Sequence, residues 1–173
     1  MLLAIHSFEG ATPLVAGSAW IAETAWVCGK VEIGERATVW PGGVIRGDFG
    51  SIRIGANTHI QDNSVLHTGD RLEIGDDTIV GHRTVVHCAV VGDNVLVGNG
   101  AILLDDAVIG SRVMIAAGAV VLRGAEIPDD SFVTGLPATA QAITDRQRRS
   151  LLKMSDPEWG YGTMAARYKA AGL

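Results

Sequence analysis

A six-residue repeat of aliphatic side chains constrains the fold of this chain more than any other feature. The repeat keeps its step of six along most of the sequence, apart from single steps of nine, eight and five residues. An α-helix repeats near 3.6 residues and a strand near two, so neither an ordinary helix nor a hairpin meander explains it. The repeat positions are Val15, Ile21, Val27, Ile33, Val39, Ile45, Ile54, Ile60, Leu66, Ile74, Val80, Val86, Val91, Val97, Leu103, Ile109, Ile115, Val121, Ile127 and Val133.

Most repeat positions have a small or β-branched companion two residues earlier. These companions are Ala19, Ala25, Ala37, Ser64, Thr78, Thr84, Ala101, Ala107, Ala119 and Ala125. A large residue and a small one in each hexapeptide favour a parallel β-helix with three flat faces, in which the large residue fills the interior and the small one fits a corner. We expect residues 1–137 to form this β-helix and residues 138–173 to form a helical segment that packs on it.

The C-terminal segment carries two helix signals. Residues 144–147, Thr-Asp-Arg-Gln, have the pattern of a capping box and predict the start of one helix. Pro157 predicts the start of a second helix, in which Tyr161 and Tyr168 would share a face with Met164 and Ala165.

Composition excludes several classes of partner. The chain has 14 Lys and Arg against 19 Asp and Glu, a net charge of -5, so no basic surface dominates and we expect neither nucleic acid nor membrane as a partner. No apolar run reaches the length of a membrane span, and two cysteines make no disulfide framework. A cytoplasmic protein is the expectation.

Three hexapeptides make one coil, so residues three units apart lie one above the other, about 4.8 Å apart at the spacing of paired strands. His67 and His87 follow repeat positions three units apart and therefore stack on one face, and Arg46 extends their column. His82 lies on another face, beside Gln61 and Asp62.

Two stacked, outward histidines predict a metal site. Zinc-type sites usually take at least three protein ligands. His82 is the candidate for the third ligand, but one chain cannot bring it round the prism to His67 and His87. A neighbouring subunit can do so, and three prisms about a three-fold axis would form three equivalent sites. His59 lies at an outward corner, where we expect it to be solvated.

The ordered set Arg46-Gly47-Asp48, Ile60-Gln61-Asp62, Val65-Leu66-His67, Val80-Gly81-His82 and His87 resembles the γ-class carbonic anhydrase family of hexapeptide-repeat proteins. The resemblance implies a left-handed β-helix, a homotrimer, and a divalent metal such as Zn²⁺, Fe²⁺ or Co²⁺ bound by His67 and His87 of one subunit and His82 of the next.

The same resemblance implies roles for five further residues. Arg46 would pair with Asp48 across the interface, Gln61 would orient water, Asp62 would support the site and Tyr161 would line the pocket. These residues are Arg46, Asp48, Gln61, Asp62 and Tyr161. The expected reaction is the reversible hydration of carbon dioxide to bicarbonate by hydroxide bound to the metal.

Two alternatives remain open at this stage. Many hexapeptide-repeat proteins transfer acyl groups from acyl-CoA, and a non-catalytic, metal-stabilised assembly subunit would have the same histidines. The chain also departs from the family pattern, because Phe49 follows Asp48 and only Asp70 stands in the loop after His67 as an acidic group for proton transfer. A slow enzyme would fit this departure.

Overall fold

The computed structural model describes residues 4–154, 156 and 160–172, which form twenty strands and two helices. The strands are β1 Ile5–His6, β2 Leu14–Val15, β3 Trp20–Ile21, β4 Trp26–Ile33, β5 Thr38–Val39, β6 Val44–Ile54, β7 His59–Ile60, β8 Val65–His67, β9 Arg71–Ile74, β10 Ile79–Val80, β11 Val85–Val86, β12 Val90–Val91, β13 Leu96–Val97, β14 Ile102–Leu103, β15 Val108–Ile109, β16 Met114–Ile115, β17 Val120–Val121, β18 Glu126–Ile127, β19 Ser131–Gly135 and β20 Ala138–Ala142. The helices are α1 Asp145–Met154 and α2 Tyr161–Ala170.

The strands wind into a β-helix with three faces. The histidine face contains β8, β11, β14 and β17, the open face contains β9, β12, β15 and β18, and the helix-covered face runs from β3 through β5, β7, β10, β13 and β16 to β19. Neighbouring coils pair in parallel on every face. The predicted fold is confirmed: the chain is a parallel solenoid of the left-handed β-helix type found in hexapeptide-repeat proteins.

The repeat positions form the interior of the prism. All of them except the partly exposed Val15 are buried, and they pack in one continuous core. Most of the small companions are buried as well, since a corner leaves room for a methyl or hydroxyl group but not for a larger side chain. Hydrophobic burial along the whole prism therefore holds each coil in register with the next.

The three irregular steps of the repeat all lie at one corner, between the histidine face and the open face. They follow Arg46, His67 and His87, each of which comes directly after a repeat position on the histidine face. Strand β6 runs through this corner without interruption, as does β4 with a register shift between Gly29 and Val31. The extra and missing residues therefore leave the core in place and change the backbone beside the column of Arg46, His67 and His87.

The C-terminal segment differs in part from the expectation. Residues 138–142 form β20, antiparallel to β19, before any helix begins. The capping box forms as predicted, because Gln147 N–H donates to Thr144 Oγ1 and Thr144 N–H donates to Gln147 Oε1. Pro157 lies outside the described residues, and the described part of the second helix starts at Tyr161. Neither described helix is long and apolar enough to cross a membrane.

Candidate metal centre

The two stacked histidines meet on the histidine face. Arg46 pairs in register with His67, and Leu66 with Val86, which sets His67 directly below His87. His67 Nδ1 lies 3.0 Å from His87 Nε2, and the ring centroids are 5.0 Å apart. The predicted column of Arg46, His67 and His87 is therefore confirmed, and two imidazole nitrogens face each other within it.

Arg46 and Asp48 point to the same side of β6 because strand residues two apart share a face. Gly47 between them allows the backbones of β6 and β4 to lie close together, since a Cβ at this position would lie 2.6 Å from the carbonyl oxygen of Lys30 in β4. Arg46 donates to Asp48 Oδ2, and Asp48 Oδ1 lies 3.0 Å from His67 Nε2. The pair forms within one chain here; the pairing of Arg46 with Asp48 across an interface stays a prediction.

Asp48 is held as a carboxylate. Partial burial alone would raise its pKa, but hydrogen bonds from Arg46, His67 and the backbone N–H of Phe49 outweigh burial and lower the pKa below its usual value. An ionised Asp48 can only accept hydrogen bonds, so the ring proton of a neutral His67 is drawn to Nε2.

A second carboxylate, which the sequence analysis missed, contacts His87. Asp105 Oδ1 lies 3.1 Å from His87 Nδ1. Asp105 comes after β14, whose Leu103 pairs in register with Val86, so Leu104 stands over His87 and Asp105 follows one position later. Counting three units along the chain finds only residues directly above or below a histidine. Asp105 would have been found if the residue one position further along the neighbouring coil had also been considered.

His82 lies at the edge of the helix-covered face, away from His67 and His87, as predicted. Its Nδ1 is 2.9 Å from Asp62 Oδ2, and its backbone N–H donates to Asn99 Oδ1 at 3.1 Å. The His82 side chain is 42% exposed, so a neighbouring molecule can contact it.

Gln61 and Tyr161 line one shallow pocket together with His82, with a volume of about 350 Å³. Gln61 is buried, and the Tyr161 ring packs edge-on against Trp40, 5.8 Å between centroids. Helix α2 thereby brings Tyr161 beside the two polar residues of the β-helix. The structure thus joins Gln61, Asp62, His82 and Tyr161 in one group, and Arg46, Asp48, His67, His87 and Asp105 in another.

The expectation that His59 is solvated is wrong. His59 points outward from the prism, but α2 covers it, and it is only 3% exposed. Its Nδ1 lies 2.9 Å from Thr38 Oγ1, and its ring lies 5.6 Å from that of Tyr161. Burial lowers the pKa of His59 to about 4, so this histidine is neutral and belongs to the packing beneath the helix.

The donor set fits a divalent metal ion only if a second subunit takes part. Among residues 4–154, 156 and 160–172 of one chain, no three His, Cys, Asp or Glu side chains come together as a metal site. The facing nitrogens of His67 and His87 are 3.0 Å apart. Two nitrogens bound to one tetrahedral ion at 2.0–2.1 Å would be about 3.3 Å apart.

Each predicted histidine ligand also has a carboxylate on one ring nitrogen: Asp48 for His67, Asp62 for His82 and Asp105 for His87. Histidine ligands of metals almost always donate their other ring N–H to a carboxylate, a backbone carbonyl or water, and a carboxylate is one of these partners.

Several curated proteins are similar to this chain. A carbonic anhydrase of Geobacillus kaustophilus is 44% identical over 105 residues, which covers 60% of this chain and 58% of that protein. The mitochondrial gamma carbonic anhydrase 2 of Arabidopsis thaliana is 36% identical over 145 residues, 79% of this chain and 52% of the relative. The chain therefore spans little more than half the length of these two relatives. A Methanocaldococcus jannaschii protein named "Probable carbonic anhydrase" is 43% identical over 141 residues, 80% of this chain and 89% of that protein.

Solved structures of hexapeptide-repeat proteins share the fold of this chain. The crystal structure of a hexapeptide transferase family protein from Anaplasma phagocytophilum matches with a TM-score of 0.91 and 35% identity, over 97% of this chain and 99% of that one. The family model "Bacterial transferase hexapeptide (six repeats)" matches residues 88–123. With nine-tenths of the Methanocaldococcus protein matched at 43% identity, the chain belongs to the γ-carbonic-anhydrase-like family of hexapeptide-repeat proteins.

Proposed function

We propose that this protein hydrates carbon dioxide reversibly to bicarbonate, at metal sites formed between the subunits of a homotrimer. His67 and His87 of one subunit and His82 of the next would hold the ion, with Zn²⁺, Fe²⁺ or Co²⁺ as the candidates because imidazole suits all three. When held by these three neutral imidazoles, a divalent ion would lower the pKa of water to about 7 and so supply the nucleophile at neutral pH.

The observation that carries this proposal is the division of three carboxylate-paired histidines between two faces of one prism. His67 and His87 already face each other at metal-binding distance, while His82 stands apart with its own partner, Asp62. A second prism is then needed to complete the site. A closed assembly follows because each subunit offers one pair and one single histidine, so that a neighbouring subunit completes every site. Three copies are what the resemblance to the γ-class carbonic anhydrase family implies.

An apolar stripe on the histidine face supports the trimer. One outward apolar residue per coil stands in register beside the histidine column: Trp26, Val44, Val65, Val85, Ile102 and Val120. Trp26 and Val85 are 38% and 37% exposed in the single chain. An apolar stripe that runs the length of a prism is suited to a flat contact with a second copy.

The surrounding residues would hold and orient the reacting groups. Arg46 fixes Asp48, which in turn holds the His67 ring, and Asp62 holds the His82 ring. Gln61 and Tyr161 share the pocket of His82, and there we propose that Gln61 orients the reacting water while Tyr161 closes one side. Phe49, 76% exposed beside His67, cannot accept a proton, so we expect proton removal to depend on buffer.

The decisive experiment combines metal analysis with kinetics. The purified protein is loaded with Zn²⁺, Co²⁺ or, without oxygen, Fe²⁺, and its metal content and stopped-flow rate of carbon dioxide hydration are measured. We expect close to one metal per subunit and a hydration rate that increases with buffer concentration, both absent from His67→Ala. Hydration no faster than in buffer alone at full metal content would contradict the enzyme and favour an assembly subunit.

Acyl transfer serves as the alternative arm of the same experiment. The crystal structure of a putative acetyltransferase from Bacillus cereus matches this chain with a TM-score of 0.91 and 32% identity. If the metal-free protein transfers the acetyl group of acetyl-CoA to an amine or alcohol acceptor, acyl transfer becomes the favoured function and carbon dioxide hydration the alternative.

A further inference from the structure

Two acidic residues each lie beside one ring nitrogen of the stacked histidines. A neutral imidazole has one N–H donor and one lone-pair acceptor. The carboxylates of Asp48 and Asp105 lie 3.0 and 3.1 Å from His67 Nε2 and His87 Nδ1, so both ring protons belong at these outer nitrogens. With the protons at those positions, His67 Nδ1 and His87 Nε2 would present lone pairs to each other across 3.0 Å.

Two facing lone pairs repel, and a cation between them removes the repulsion. Without a cation, one ring would be expected to carry its proton on the facing nitrogen and donate it to the other ring. The arrangement therefore requires that each ring be held with its proton on the outer nitrogen. For His67 the holding group is Asp48, itself anchored by Arg46. For His87 it is Asp105, which approaches from the coil above.

We propose that Asp105 is a positioning residue of the metal site, which holds His87 in the Nδ1–H tautomer so that its Nε2 lone pair is available to the ion. Asp105 acts through His87 and does not itself reach the ion. The effect of Asp105 on metal binding rests on the proposed function. Its effect on the tautomer of His87 concerns the metal-free protein alone.

The adjacent acidic residue provides a matched control. Asp106 has its Oδ2 bound to both Nε and Nη2 of Arg123, at 3.0 and 2.9 Å. It therefore occupies the same turn with the same charge, yet it is paired elsewhere. Asp105→Ala and Asp106→Ala remove equal charge from neighbouring positions, and only the first removes the partner of His87.

The test measures the tautomer and the affinity separately. Long-range proton–nitrogen NMR spectra of the ¹⁵N-histidine-labelled, chelator-treated protein identify the protonated nitrogen of His87, and competition with a chromophoric chelator gives the Zn²⁺ affinity. We expect the Nδ1–H form in wild type and Asp106→Ala, and the Nε2–H form in Asp105→Ala. We expect Asp105→Ala to bind Zn²⁺ about 10–100-fold more weakly, and Asp106→Ala within about twofold of wild type. Asp105→Asn, whose amide carbonyl can still accept the Nδ1–H bond, should keep the tautomer and recover most of the affinity.

The outcomes that would overturn the proposal are distinct from a failure of the enzyme. An Nε2–H tautomer in wild type, or an unchanged tautomer in Asp105→Ala, would overturn it whatever the affinities are. Equal Zn²⁺ affinity of the two alanine variants would also overturn it. If metal-loaded wild type fails to hydrate carbon dioxide while His87 changes tautomer as expected, the proposed function fails and the positioning role of Asp105 stands.

Discussion

The coils from Val91 to Val133 and those from Ile45 to Val91 use the same interior but differ in regularity. Above Val91 the aliphatic repeat keeps a step of six without exception, whereas below it the steps of nine, eight and five all fall at the corner beside the histidine face. His67, His82 and His87 all lie in the irregular part, together with Arg46 and Gln61.

This difference separates what builds the prism from what supplies the three predicted ligands. Asp105, the partner of His87, is the one site residue described above that lies in the regular part. The family model named for bacterial transferases matches residues 88–123, which begin just after His87 and contain none of the three predicted ligands. The match therefore concerns the regular scaffold, which many hexapeptide-repeat proteins share. Acyl transfer gains little support from it, because His67, His82 and His87 all stand in the coils that it leaves out.

Paired substitutions in the two regions should have opposite effects. His67→Ala in the irregular coils should weaken Zn²⁺ binding by more than about 100-fold, because it removes a ligand, and even partners of ligands contribute 10–100-fold. Metal-free His67→Ala should unfold close to wild type. Ile109→Ala, in the regular coils on the open face, leaves a cavity in the core and should lower the free energy of unfolding by about 2–5 kcal/mol. Chelator competition and chemical denaturation measure the two effects.

The reverse pattern would contradict the separation of scaffold and site. A metal-free His67→Ala protein that is as destabilised as Ile109→Ala would show that the histidine is part of the core. A properly folded Ile109→Ala protein that has lost Zn²⁺ affinity as severely as His67→Ala would show that core packing in the regular coils determines the site directly.

A smaller effect concerns His59, the histidine that supports packing beneath α2. Its pKa is lowered to about 4 in the folded state, against an ordinary value of about 6.5. Between these values the unfolded chain binds a proton that the folded chain does not, so stability is full above pH 6.5 and falls as the pH decreases toward 4. The loss should be on the order of 2–3 kcal/mol.

The matched variant is His59→Asn, which keeps a polar partner for Thr38 but does not titrate. Denaturation of both metal-free proteins between pH 7.5 and 4.5 isolates the contribution of His59, because all other groups titrate alike in the two. Parallel stability curves for wild type and His59→Asn would show that this ring is not buried as a neutral group.

The sequence predicted the features that depend on strand register. It missed those that depend on how α2 packs on the prism and on diagonal contacts between coils. The column of Arg46, His67 and His87 follows from counting, because stacked coils repeat the same position. Burial of His59 does not follow from counting, since it depends on where α2 packs after the last coil. Asp105 was missed for a related reason: its side chain reaches His87 on a diagonal between coils, which a column of equal positions does not include.

Refolded mixtures of variants test most directly whether His67 and His87 come from one subunit and His82 from the next. His67→Ala and His82→Ala chains are mixed equally, unfolded and refolded, and bound Zn²⁺ per trimer is measured. Every mixed ring then has one interface at which the intact pair of one chain meets the intact His82 of the other. With random mixing, about one quarter of the wild-type metal content should return.

A mixture of His67→Ala and His87→Ala is the matched control, because these two ligands must come from one chain and no interface of the mixed ring is complete. We expect no metal to return in this second mixture. Recovery in both mixtures would mean that His67 and His87 do not act from the same subunit. No recovery in either, with mixed trimers verified by mass spectrometry, would contradict a site shared between neighbouring chains.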